Sequence, residues 1–170
     1  PGGMSGKIFP STQELNYTIN FQNTGTAVAR NIVLLDTLPV NNIDLGTIRF
    51  GASSFPYDVD FFGNGVVKFT FTNIMLPDSN VDEAGSHGFI QYTARLKSNL
   101  PIGTQIKNRA GIYFDFNEVV MTEYAVNIID TTFGSGGIKE KLHSSSLSRS
   151  VAMGARLILK SAFLIILMPY

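Results

Sequence analysis

The residues of this chain best suited to chemistry are carboxylates and two histidines. The loop Met75 to Gly88 carries Asp78, Asp82 and Glu83, with His87 close behind. Three carboxylates with carbonyl oxygens are the donor type that Ca²⁺ selects, since it takes six to eight oxygen ligands. The spacing matches neither an EF-hand nor an acidic repeat loop, and a long solvated loop gathers acids anyway. No metal ligand is therefore assigned. A second group, Asp115 and Glu118, flanks Tyr113, Phe114 and Phe116 and has the residue types of a glycosidase carboxylate pair. On alternating strand geometry Asp115 shares the face of Tyr113, opposite Phe114 and Phe116. A surface turn or edge is the simpler reading, and a general acid there would need a pocket to raise its pKa. His87 and His143 are the only histidines. A nucleophilic triad needs a base oriented by an acid beside an activated Ser, and no Gly-x-Ser-x-Gly elbow occurs. His87 reads as a loop-packing residue. The expectation is a protein without catalytic, cofactor-binding or metal-binding residues and without a cofactor.

The elements that would carry these groups are strands. In Leu15 to Gln22, Leu15, Tyr17, Ile19 and Phe21 fall on one face and Asn16, Thr18, Asn20 and Gln22 on the other, the period of two that a half-buried strand requires. Asn23-Thr-Gly-Thr26 then turns the chain into Ala27 to Pro39, which predicts an opening hairpin. A loop at Asn41 to Asp44, a short apolar segment around Ile48 and Phe50, and Gly51-Ala-Ser-Ser54 follow. Tyr57 to Phe62 leads through Gly63-Asn64-Gly65 into Val66 to Thr72, where Asn-Gly supplies the positive φ of a tight hairpin. Val67, Phe69 and Phe71 should point inward. Ile90, Tyr92, Ala94 and Leu96 repeat the pattern, as do Ile106, Ala110, Ile112, Phe114 and Phe116, and Val119 to Ile129 closes the series. Seven or eight short strands, turn signals every eight to twelve residues and no convincing helix before Gly134 predict an all-β, immunoglobulin-like two-sheet antiparallel sandwich. A closed barrel is the alternative.

Composition divides the chain. Residues 1–137 hold eight Lys and Arg against twelve Asp and Glu, net −4, and residues 138–170 hold five against one, net +4. An acidic body without basic clusters argues against nucleic acid. Thirteen Phe and six Tyr supply enough apolar surface, at roughly 1.5–3 kcal/mol per fully buried large side chain, for a core without metal or disulfide. The absence of Cys fixes no compartment. The start Pro1-Gly-Gly-Met4 shows no signal peptide, consistent with a piece of a longer polypeptide. We expect an N-terminal linker at 1–6, a sandwich at 7–132, a Gly/Ser-rich linker at 133–148, and an apolar basic tail at 149–170. Arg156 and Lys160 interrupt the apolar run, at about 2.5–3.5 kcal/mol each at the centre of a spanning helix, so a membrane segment is poorly supported.

Leu15-Asn-Tyr-Thr-Ile-Asn-Phe-Gln-Asn-Thr-Gly-Thr26, Asp36-Thr-Leu-Pro39, Phe50-Gly-Ala-Ser-Ser54, Leu76-Pro-Asp78, Ser86-His-Gly-Phe89, Leu100-Pro-Ile-Gly-Thr104 and Ile112-Tyr-Phe-Asp-Phe-Asn117 stand in this order. As a set they resemble the conserved-repeat β-sandwich domain of bacterial surface proteins. More narrowly, they resemble the version preceding the C-terminal sorting domain of proteins exported by type IX secretion. The match covers about residues 7–132. It implies a secreted or cell-surface spacer or adhesion-associated module, partnered by neighbouring domains of its own polypeptide and by surface protein or glycan. It carries no catalytic residues. In that family a stretch like Ile138 to Ser148 leads to a sorting domain opening with a Tyr-Pro-Asn-Pro-like motif, and from Arg149 this chain departs from that pattern. A shifted reading frame or a truncated gene would explain the departure.

Surface repeats of this broad kind sometimes form Lys–Asn isopeptide crosslinks, which need a buried Lys, Asn and carboxylate in contact. Lys68 and Lys107 alternate outward, so none is expected. The leading functional reading is a noncatalytic spacer. The alternative is a carbohydrate- or protein-binding module using Phe55, Tyr57, Phe61 or Phe62, and a hydrolase fragment is a second alternative.

Overall fold

A computed structural model describes residues 5–131, and every structural statement concerns those residues. The expectations for the linker at 133–148, for His143 and for the tail at 149–170, including its membrane and frame-shift readings, lie outside them. No helix of the described residues is long and apolar enough to cross a membrane.

Eleven strands form three sheets. They are β1 (Ser5–Ile8), β2 (Glu14–Gln22), β3 (Ile32–Thr37), β4 (Ile43–Ser53), β5 (Asp58–Phe62), β6 (Val66–Phe71), β7 (His87–Leu96), β8 (Gln105–Asn108), β9 (Ala110–Phe114), β10 (Val120–Met121) and β11 (Ala125–Ile129). The sheet β2-β7-β4 packs against the sheet β10-β9-β3-β6-β5, and the third has the order β1-β11-β8. This is the all-β, immunoglobulin-like sandwich the alternation predicts, but with eleven strands for the expected seven or eight, a third sheet, and one parallel pair, β1 with β11. Leu15, Tyr17, Ile19 and Phe21 are buried between their outward neighbours on β2, as are Val67, Phe69 and Phe71 on β6 and Ile90, Tyr92 and Ala94 on β7. The layers interlock through rings. Phe21 of one sheet meets Phe71 of the other at 5.3 Å between centroids, and Phe50 meets Phe69 edge-on at 5.7 Å. Such tilted pairs avoid the repulsion of stacked ring faces.

Three local readings need correction. The segments 15–22 and 27–39 do not form a hairpin: β2 pairs with β7, whereas β3 pairs with β6 and β9 in the other sheet. The connection between them crosses the sandwich edge and is pinned by Asn23. Its Nδ2 donates to the carbonyls of Ala27 (2.8 Å) and Leu76 (3.0 Å), while its Oδ1 accepts from Gly25 N–H (3.1 Å). The apolar segment around Ile48 is part of an eleven-residue strand, β4, whose register on β7 shifts between Asp44 and Arg49 and again between Phe50 and Ser53. Bulges of this kind blur a period-two pattern. Phe116 is not in phase with the core and is fully exposed, because Asp115 at φ 52° turns the chain out of β9. The hairpin at Gly63-Asn64-Gly65 is present, with φ of 66° at Asn64 and 81° at Gly65 joining β5 to β6.

Candidate functional site

The groups nominated from sequence are occupied locally. Asp78 Oδ1 accepts from the backbone N–H of Asn80 (3.1 Å) and Val81 (3.3 Å), and Asp82 Oδ1 accepts from Gly85 N–H (2.9 Å). Glu83 Oε1 lies 3.0 Å from His87 Nε2, one turn away in sequence. Asp78 and Asp82 thus stabilise their own turns by accepting from backbone N–H groups, while Glu83 pairs with the His87 ring. Asp115 uses both oxygens on the entry to β3, accepting from Arg30 N–H (2.9 Å to Oδ2) and Asn31 N–H (2.8 Å to Oδ1). It is a clasp between the β9 turn and β3, while Glu118 is exposed. Of the four aromatics, Phe55 and Tyr57 pack against the core, whereas Phe61 and Phe62 are about half exposed. Those two are consecutive on β5 and project to opposite faces, so no planar aromatic strip forms.

The most unusual chemistry sits inside the sandwich. Asp36 on β3, Tyr92 on β7 and Asn108 on β8 come from three different sheets and meet in the core, all at most 5% exposed. Tyr92 O–H donates to Asp36 Oδ2 at 2.5 Å, and Asn108 Nδ2 donates to the same oxygen at 3.2 Å and to Tyr92 Oη at 3.1 Å. Tyr17 stacks on Tyr92 at 4.9 Å. The cluster joins all three sheets at one point. Asp36 Oδ1, Asn108 Oδ1 and Tyr17 Oη are buried without a hydrogen-bond partner. Burial pushes the Asp36 carboxyl up to about 6, against the opposing bonds from Tyr92 and Asn108. Burial also raises the Tyr92 phenol well above its ordinary value, reinforced by the Asp36 charge, so it stays a donor.

None of these roles follows from the sequence motifs. The legible signal was phase: Asp36 lies in step with buried Ile32, Leu34 and Leu38, and Asn108 lies in step with Ile106 and Ala110. A polar residue in an inward position of a strand marks a buried polar contact. The cluster has a carboxylate and a carboxamide but a phenol in place of an amine. Lys107 is exposed and Lys68 is half-buried on β6 between inward-facing Val67 and Phe69, so neither reaches it.

Fold and interior together define an immunoglobulin-like β-sandwich domain. Within that class, residues 3–128 match a family model described as a domain of unknown function, DUF7619, and the chain belongs to that family. No curated protein matches. Among solved structures, the major pilin subunit of Bacillus cereus is similar over 74% of this chain and 37% of its own, at 19% identity and TM-score 0.52. The collagen-binding domain of a Staphylococcus aureus adhesin is similar over 73% of this chain and 94% of its own, at 13% identity and TM-score 0.45. The N-terminal domain of a Streptococcus gordonii adhesin is similar over 73% of this chain and 30% of its own, at 13% identity and TM-score 0.49. The chain spans little more than a third of the pilin's length. At 19% identity the likeness to the pilin subunit is one of fold.

Proposed function

We propose that this domain is a noncatalytic structural module at the exterior of a bacterial cell, spacing or presenting the neighbouring domains of a larger surface or secreted polypeptide. The observation that carries it is where the polar groups go: Asp78, Asp82, Glu83 and Asp115 each bind their own turn or a neighbouring strand, and Asp36 is enclosed in the core. In each case the carboxylate fastens a turn, a strand or the core of the sandwich. The fold shared with the Bacillus cereus pilin subunit supports this reading. Export by type IX secretion is the finer reading that the sequence resemblance supports, with linker and tail beyond a sandwich that β1 extends back to Ser5, two residues before the 7–132 expected from sequence.

The test is surface display. An epitope inserted at the Asn64 hairpin in the full-length gene product should be labelled by antibody on intact cells and removed by external protease. An epitope protected until the cells are lysed overturns the proposal. A second reading, in which the module also contacts a surface protein or glycan, is favoured by exposed Phe61 and Phe62 on the edge strand β5.

A further inference from the structure

The first and last strands of the domain lie side by side and run parallel, in the register Ser5↔Val126, Gly6↔Asn127, Lys7↔Ile128 and Ile8↔Ile129. The chain therefore enters β1 beside Val126 and leaves β11 beside Ile8, at opposite ends of one short ladder. Those ends are about 10 Å apart along the strand axis at the usual rise per residue. We propose that β1 and β11 form a force-bearing latch, so that tension transmitted along the polypeptide loads their ladder in shear and the domain resists extension as one unit.

Pulling the two ends apart draws β1 toward its N-terminus and β11 toward its C-terminus. Ladder hydrogen bonds lie roughly across that direction and share the load, so they must fail together. An antiparallel pair pulled from one end opens bond by bond instead. Other contacts oppose the same sliding motion. Asp130 N–H donates to the Ile8 carbonyl at 2.9 Å, and Lys7 Nζ lies 2.7 Å from Asp130 Oδ2. Ile8 and Ile129 are buried at 4% and 3% exposure, and a one-residue slip would turn their side chains to the opposite face. On its other side β11 is held by β8, and its end is fastened by Gly103 N–H to the Ile129 carbonyl (2.7 Å) and Ile129 N–H to the Thr104 carbonyl (3.0 Å). Since β1 pairs with β11 alone, the β1–β11 ladder is where the load concentrates.

This inference rests on reading the domain as a link between neighbours, but its test is independent of where the protein resides. The full chain contains no Cys, so introduced cysteines define where force is applied. Single-molecule pulling through handles at the chain ends is compared with pulling through Pro10→Cys and Thr131→Cys. Both of those positions are exposed, near the Ile8/Ile129 end of the ladder. End pulling should give one high-force event releasing the whole domain, and the second geometry should lose most of that force at unchanged thermal stability. Equal forces in the two geometries, or early low-force release of β1 in end pulling, overturn the latch. A failed surface-display experiment overturns the surface reading and leaves this result standing.

Discussion

Asp36 is a carboxyl flanked across its own sheet by Val67 and Ala110, with Tyr17, Tyr92 and Asn108 facing it from the other elements and no cation among them. Its Oδ2 accepts two hydrogen bonds and its Oδ1 accepts none, a distribution that disfavours the charged form. With the carboxyl pKa raised from the ordinary 3.8 to about 6, the folded state binds the proton more tightly than the unfolded chain. The stabilisation is complete below 3.8 and is lost as pH rises through about 6, by on the order of 3 kcal/mol. Urea unfolding from pH 3.5 to 7.5 should show this decline, and Asp36→Asn should flatten it. The two phenols beside Asp36 differ in worth. Tyr92→Phe removes a donor to a buried oxygen and should cost about 1–3 kcal/mol. Tyr17→Phe removes a buried oxygen that has no partner, so the unfolding midpoint should hold or rise by the equivalent of about 1 kcal/mol. Which residues cluster here was only half visible in the sequence: phase marked Asp36 and Asn108 as inward, but their meeting depends on strands 72 residues apart in the chain.

At the scale of elements, alternation identifies faces and leaves partners open. Each face of β2 and β3 follows from its own residues, yet the same pattern fits a hairpin and a crossing between sheets equally well. The choice is made by Asn23, whose amide reaches the carbonyl of Leu76, 53 residues away, a contact no local window contains. Close packing between β2 and β7 makes a sharper demand. Gly88 on β7 stands opposite Phe21 on β2, and a Cβ at that position would lie 2.2 Å from the Phe21 ring. That ring also packs on Phe71 of the facing sheet and has little room to retreat. Gly88→Ala should therefore destabilise the domain by about 1–3 kcal/mol, the range for overpacking. Thermal denaturation would read this as a lower Tm, and Gly63→Ala, whose Cβ would meet nothing within 4 Å, serves as the comparison.

For the whole molecule, the same ring network that joins two sheets should make their unfolding a single event. Phe69 is wholly buried and its ring contacts Phe50 and Tyr92 of the facing sheet as well as Tyr57. Tyr92 in turn holds Asp36 and Asn108, which carry the connection to β3 and to the sheet containing β1 and β11. Removing the Phe69 ring opens a cavity where these layers meet, at about 3–5 kcal/mol. That is a large fraction of the roughly 5–15 kcal/mol that stabilises an ordinary domain. Phe69→Ala should lower amide-exchange protection in β2, β3, β6, β7 and β11 together, because their stability passes through one shared core. Phe116→Ala removes the same side chain from a position with full solvent exposure and should leave every strand's protection within about 0.5 kcal/mol of the parent. Hydrogen exchange on the pair distinguishes a cooperative sandwich from three separately stable sheets: loss confined to the β6 neighbourhood in Phe69→Ala would mean that the sheets stand independently.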